Sequence, residues 1–187
     1  MTTRFHGYTF LTDPGRVFTP RATSEHLVDA ALERIGEEPA RVADVGTGAG
    51  VVAITLALRA PAIEVWASDT CGRALDVAAQ NADRLGARVH LVQGDLLDGL
   101  PRDLDLIVAN LPYLPPGTPG YEAEPPAAVY STGDGLDHYR RLIAGAGDHL
   151  SPDGAMLIQF HGDVLEAERS ELPWLLGRLE SLVTAAA

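Results

Sequence analysis

Apolar residues in this chain gather in short near-continuous runs, Val42 to Val45, Ile63 to Ala67, Val89 to Val92, Leu104 to Ala109 and Ala155 to Phe160. Runs of this length without polar alternation predict strands buried on both faces, as in a parallel sheet. Between them the apolar positions take helical spacing. Leu27, Val28, Ala31, Leu32 and Ile35 share one face, and Thr23 or Ser24 is placed to cap that helix. Helices are also expected over Val51 to Leu58, Arg73 to Leu85 and about Leu136 to Leu150, with Gly86 stopping the second of these. Strand alternating with helix predicts a doubly wound, mostly parallel α/β sheet of the Rossmann-like type. Two ends depart from this rhythm. Phe5, Tyr8 and Phe10 alternate ahead of the Asp13-Pro14-Gly15 turn, so residues 1–22 are expected to form a short hairpin and extended segment before the main domain, 23–187. After Phe160, Pro173 interrupts the remaining sequence, and an incomplete sheet edge is expected there. An exposed fifth strand invites homodimerisation or covering by the Trp174–Leu182 segment. The closing Ala185-Ala186-Ala187 is expected to fray.

Ligands of such sheets bind at the carboxyl ends of the strands, where the strand order reverses. The residues that follow the strands therefore carry the chemistry. The first strand runs into Asp44-Val45-Gly46-Thr47-Gly48-Ala49-Gly50, the second ends at Asp69, the third leads to Gly94-Asp95-Leu96, and the fourth to Asn110-Leu111-Pro112-Tyr113. Glycines at alternate positions let the backbone approach a ligand closely, and the helix behind them presents free N–H groups. A dinucleotide fingerprint needs its third glycine one position later, where Val51 stands, so a pyrophosphate is not the expected ligand. Asp95 can equally cap the turn after Gly94. The segment from Pro115 to Gly135 is rich in proline and glycine and reads as a long functional or mobile loop.

Composition narrows the partners. At 187 residues the chain can bury a full core, and no apolar run approaches the ~20 residues that span a bilayer. The N-terminus lacks the apolar core of a signal peptide, so a cytoplasmic setting is expected. The lone Cys71 excludes an internal disulfide, and His6, His90, His138 and His161 show no ligand spacing, so no metal is expected. A net charge of −12 weighs against phosphate-driven binding of free nucleic acid. Arginines in the first quarter leave a local basic patch open there.

The D-x-G-x-G-x-G arrangement at Asp44 to Gly50, with Asp69 and Asp95 after the next two strands, resembles class I S-adenosylmethionine-dependent methyltransferases. The resemblance implies that Asp44, Gly46, Thr47, Gly48 and Gly50 face the methionine part of the cofactor. It further implies that Asp69 accepts the ribose hydroxyls and that Asp95 and Leu96 border the adenine. S-adenosylhomocysteine would be the product. Asn110-Leu111-Pro112-Tyr113 resembles the (N/D)-x-P-(Y/F/W) motif of methyltransferases acting on planar nitrogens. An amide or exocyclic amine is a poor nucleophile because its lone pair is delocalised. The Asn110 side-chain oxygen and the Leu111 carbonyl can each accept one N–H, Pro112 holds Leu111 extended, and Tyr113 supplies an aromatic face. Asn110, Pro112 and Tyr113 are thus the expected catalytic residues, with Asn110 also against the cofactor.

Phe5 to Phe10, Val17 to Glu25, Glu124-Pro125 and Gly133 to Ile143 resemble the release-factor glutamine methyltransferases. That resemblance implies methylation of a glutamine side-chain amide in a translation release factor. Bacterial members carry an N-terminal helical domain that contacts the protein substrate, and this sequence starts where that domain would end. Leu111 stands where the family usually has proline, a form also similar to adenine dimethylases of ribosomal RNA. The exocyclic amine of adenine, or a small-molecule metabolite, is therefore the alternative acceptor.

Overall fold

A computed structural model describes residues 1–186; the last residue of the Ala185–Ala187 terminus lies outside them. The chain opens with two antiparallel strands, β1 (Thr2–Phe5) and β2 (Tyr8–Leu11). The expected hairpin forms, but its turn is His6-Gly7 (φ 48° and 84°) rather than Asp13-Pro14-Gly15. Both turn residues have positive φ, the two-residue connection that matches strand twist. Histidine is uncommon in that conformation, and here its backbone N–H is held by Glu25 Oε1 at 2.7 Å and its ring lies 2.9 Å from Asp29.

Then come α1 (Glu25–Ile35), β3 (Arg41–Val45), α2 (Val51–Arg59), β4 (Glu64–Asp69), α3 (Gly72–Leu85), β5 (His90–Gln93) and β6 (Leu104–Ala109). A long loop leads to α4 (Asp137–Ala146), β7 (Leu150–Phe160), β8 (Asp163–Glu168) and α5 (Leu172–Ala186). The six strands order as β5-β4-β3-β6-β7-β8, all parallel except β8. From β3 the chain builds out to β5, then returns to place β6 on the other side of β3. The order reverses between β3 and β6, and a crevice opens at their carboxyl ends.

The sheet is buried on both faces. The hairpin and α1 to α3 cover one side around Phe5, Phe10, Leu27, Ile54 and Leu157, whereas α4 and α5 cover the other around Tyr139, Leu142, Ile158 and Leu175. The hairpin therefore belongs to the same core. Asn81 of α3, fully buried, ties it in by receiving the Leu11 N–H on Oδ1 (2.6 Å). It also donates to the carbonyls of Leu11 (3.1 Å) and Ala49 (2.9 Å).

The C-terminal edge differs from expectation. β8 pairs antiparallel with β7 from Ala155↔Glu168 to Phe160↔Asp163, so the fifth parallel strand is not an exposed edge. Its Glu166 and Glu168 meet Arg34 of α1 at 3.2 and 3.0 Å, a charged stretch that an apolar-run reading passes over. Pro173 does not interrupt α5. It stands at the second residue, where the missing N–H belongs to the orphans of the first turn, after a capping box between Glu168 and Glu171. The loop from Pro115 to Gly135 folds back, with a bridge between Leu114 and Tyr130 and the Ser131 N–H on the Leu114 carbonyl at 2.9 Å.

Asn81→Ala is expected to lower unfolding free energy by about 3 kcal/mol, because it strands a buried N–H and two carbonyls. Exposed Gln80→Ala on the same helix should cost under about 0.5 kcal/mol. Equal losses in urea titrations would contradict this account of how the hairpin is held.

Candidate functional site

The loop between β3 and α2 is shaped by a buried acid. Asp44 is 3% exposed, and its Oδ2 receives the Thr47 hydroxyl at 2.7 Å and the Ala53 N–H at 3.2 Å. Burial pushes its carboxyl up to about 6 from an ordinary 3.8. The two hydrogen bonds oppose that rise, and the nearby Asp69 charge adds to it. Gly46, Gly48 and Gly50 all take positive φ. A Cβ on Gly50 would also come within 2.9 Å of Ala78 Cβ on α3, and one on Gly46 within 2.7 Å of the Leu111 side chain. The third glycine is therefore where α2 packs on α3, and the first is where the loop packs on the segment after β6.

Strand β4 grips the same loop. The N–H groups of Gly46 and Thr47 both reach the Ser68 carbonyl at 2.9 Å, and the Gly48 N–H reaches Asp69 Oδ2 at 2.8 Å. Asp69 Oδ1 accepts the Cys71 N–H at 2.9 Å. Each carboxylate oxygen keeps a further lone pair, so Asp69 can still accept two hydroxyl donors. After β5, Leu96 sits at φ 54°, a conformation few leucines adopt, with its carbonyl held by the Ser68 hydroxyl at 2.8 Å. Asp95 is exposed and pairs with Arg141 of α4 at 2.5 Å. That ion pair gives Asp95 an ordinary structural role beside any ligand contact.

Asn110 to Tyr113 leave β6 at the opposite wall of the crevice. Asn110 donates from Nδ2 to Ser24 Oγ at 3.0 Å. The Leu111 N–H reaches the Tyr139 hydroxyl (3.2 Å), which in turn donates to the Gln159 carbonyl (2.6 Å), so β6 and β7 are locked together where the motif begins. The Tyr113 ring packs tilted by 50° against Phe160, with centroids 4.9 Å apart. The cleft is lined by Asp44, the glycine loop, Asp69, Asp95 and Leu96 on one side and by Asn110 to Tyr113 on the other. The site residues expected from sequence thus line one cavity, except Gly50, which packs on Ala78 of α3, and Asp44 is turned inward toward the protein.

Sequence reasoning missed several wall residues. Ser24, with Thr23 one of the two candidate caps of α1, makes no side-chain cap bond and meets Asn110 instead. Gln159, 3% exposed, lines the cleft with Oε1 buried and unpartnered. His138 also lines it, its Nδ1 2.8 Å from Ser131 Oγ. At the mouth, Arg21 lies over the rings of Tyr121 (4.8 Å) and Phe18 (5.3 Å), and Glu124 receives the Thr19 N–H at 3.0 Å. The one signal that could have flagged Gln159 is that it is the single polar residue inside the apolar run Ala155 to Phe160. No cluster of three His, Cys, Asp or Glu that could hold a metal occurs among the described residues, and none of their helices is long and apolar enough to cross a membrane.

Residues 7–181 match the family model of the methyltransferase small domain. A release factor glutamine methyltransferase of Deinococcus radiodurans is 39% identical over 173 residues, covering 88% of this chain and 62% of that one. One from Moorella thermoacetica is 43% identical over 156 residues, covering 79% and 55%. The chain thus spans somewhat more than half the length of these relatives. A T. thermophilus 16S rRNA N2 methyltransferase, solved in complex with AdoMet and guanosine, superposes with a TM-score of 0.62 at 20% identity. That match covers 84% of this chain and 40% of that one, a likeness of fold.

The raised Asp44 pKa has a stability consequence. Its folded value, about 6, lies above 3.8, so its contribution is fully present below about pH 4 and is lost as pH rises to about 6. Asp44→Asn keeps an acceptor for Thr47 and Ala53 and cannot ionise. The variant is expected to match the wild type near pH 4 and exceed it by about 3 kcal/mol at pH 7 in unfolding titrations. A difference independent of pH would contradict the assignment.

Proposed function

The chain belongs to the methyltransferase small domain family, and from that membership we propose that it is an S-adenosylmethionine-dependent N-methyltransferase acting on the side-chain amide of a glutamine in a protein, a translation release factor first among candidates. The observation that carries this reading is the Asn110 amide, held at Nδ2 by Ser24 and with Oδ1 unbonded among the described residues, in the same cleft as the acid-lined glycine loop.

The residues present fit a cationic cofactor. Asp44 and Asp69 face one loop, and burial already makes the Asp44 charge costly, so a positive group nearby would stabilise both carboxylates. Asp69 has acceptor capacity that would serve the ribose, and Leu96, which lines the same cleft, would border the adenine. When bound, the cofactor supplies an electrophilic methyl group on a positively charged sulfur, leaving S-adenosylhomocysteine. Asn110 Oδ1 and the Leu111 carbonyl each accept one N–H of the acceptor –NH₂, which fixes its direction and frees the nitrogen lone pair from conjugation. Tyr113, braced by Phe160, supplies a flat wall for the planar group. The nitrogen gains a methyl and gives up one proton. Because an N-protonated amide is strongly acidic, water in the cleft suffices as proton acceptor. Positioning is therefore the main contribution asked of the protein.

A protein acceptor agrees with the release-factor relatives and with a net charge of −12, which disfavours free nucleic acid. A cytoplasmic setting follows from such a substrate. Tritiated cofactor incubated with purified release factor, with RNA and with a small-molecule extract is expected to label the release factor. Label confined to RNA or to small molecules would overturn the acceptor assignment. Asn110→Ala should abolish that labelling while cofactor affinity in calorimetry stays within about tenfold, or ~1.4 kcal/mol. Equal loss of both would make Asn110 a cofactor ligand only.

A further inference from the structure

We propose that Ser24 is a positioning residue for methyl transfer, setting which end of the Asn110 carboxamide faces the acceptor. The proposal rests on the reading of Asn110 given above.

The two ends of a carboxamide are nearly equal in size and opposite in hydrogen bonding, so neighbouring groups decide its orientation. Only one orientation serves here. With Oδ1 toward the acceptor, Asn110 receives an N–H. Rotated by half a turn it would present its own N–H₂ to another, and the contact would repel. Nδ2 must therefore be engaged elsewhere, and the structure places Ser24 Oγ 3.0 Å from it, 86 residues away in sequence.

Ser24 is poorly explained by its own surroundings. It occupies the N-cap position of α1, yet its backbone is helical (φ −76°, ψ −7°) and its hydroxyl caps nothing. It is 6% exposed, and a buried hydroxyl is retained at a cost unless it is bonded. Its side-chain partner is Asn110. Ala109 pairs with Ile158 in register, so Asn110 lies level with Gln159 on the adjacent strand. Gln159 Oε1 nevertheless remains without a partner, so the amide turns to Ser24 rather than to the neighbouring carbonyl. Once Ser24 is lost, Nδ2 loses the acceptor that fixes it, and the carboxamide is free to turn Oδ1 away from the site.

Ser24→Ala and Ser24→Thr in the full chain test this, with purified release factor and tritiated S-adenosylmethionine. Ser24→Ala should lower kcat about tenfold while KM for the release factor and cofactor affinity change less than about twofold, since one hydrogen bond is lost and no contact surface. Ser24→Thr, which keeps the hydroxyl, should restore kcat. A readout independent of substrate is the side-chain ¹⁵N–¹H amide pair of Asn110, assigned by its disappearance in Asn110→Ala. It should shift or broaden in Ser24→Ala and return in Ser24→Thr. Full kcat and unchanged amide signals in Ser24→Ala would overturn the proposal, as would a loss that threonine does not restore. Turnover surviving in Asn110→Ala would instead overturn the functional reading, with the amide signals still reporting on Ser24.

Discussion

Asp44, next to last in the central strand, holds its carboxylate out of water and takes the hydroxyl of Thr47 and the N–H of Ala53 on a single oxygen. One acid thereby ties the end of β3, the glycine loop and the first turn of α2 into one unit. The arrangement is electrostatically costly, because burial favours the protonated acid and Asp69 adds a like charge. Both costs fall if a cation occupies the cleft. The loop's positive-φ glycines, the grip of Ser68 and Asp69 on its N–H groups and the packing of Leu111 against Gly46 all follow from where that acid holds the backbone.

The other wall is held from a distance. Tyr139 of α4 joins the Leu111 N–H to the Gln159 carbonyl, and Ser24 engages Asn110 from the turn before α1. Asn81 does the same for the hairpin and the carbonyl of Ala49. Side-chain groups thus complete hydrogen bonds that strand ends leave open, at the reversal of strand order where the sheet cannot supply partners. The proposed methyl donor and planar amide acceptor would meet between a wall fixed by carboxylates and a wall fixed by neutral hydroxyls.

Much of this was legible in the sequence, for physical reasons. Strands buried on both faces must be continuously apolar, so β3, β4, β6 and the paired half of β7 stand out. The acids and glycines that follow them are residue types the chemistry requires. What escaped was set by partners far along the chain. Ser24 looks like a cap because capping is the commonest local use of serine before a helix, yet its bond goes to Asn110. His6-Gly7 makes the hairpin turn because Glu25 and Asp29 hold the histidine. β8 is hidden because its glutamates answer Arg34 across the sheet edge. Pro173 reads as a breaker until its place in the first turn of α5 is known.

We propose that the acid-lined end of the sheet binds the methyl donor through Asp69, whose two oxygens organise the loop and keep acceptor capacity that would serve the ribose. Calorimetric titration of S-adenosylmethionine into the wild type and Asp69→Ala tests it most directly. One site per chain, weakened at least about 100-fold (roughly 3 kcal/mol) by the substitution, is the predicted result. No binding to the folded wild type, or equal affinity for both proteins, would contradict it.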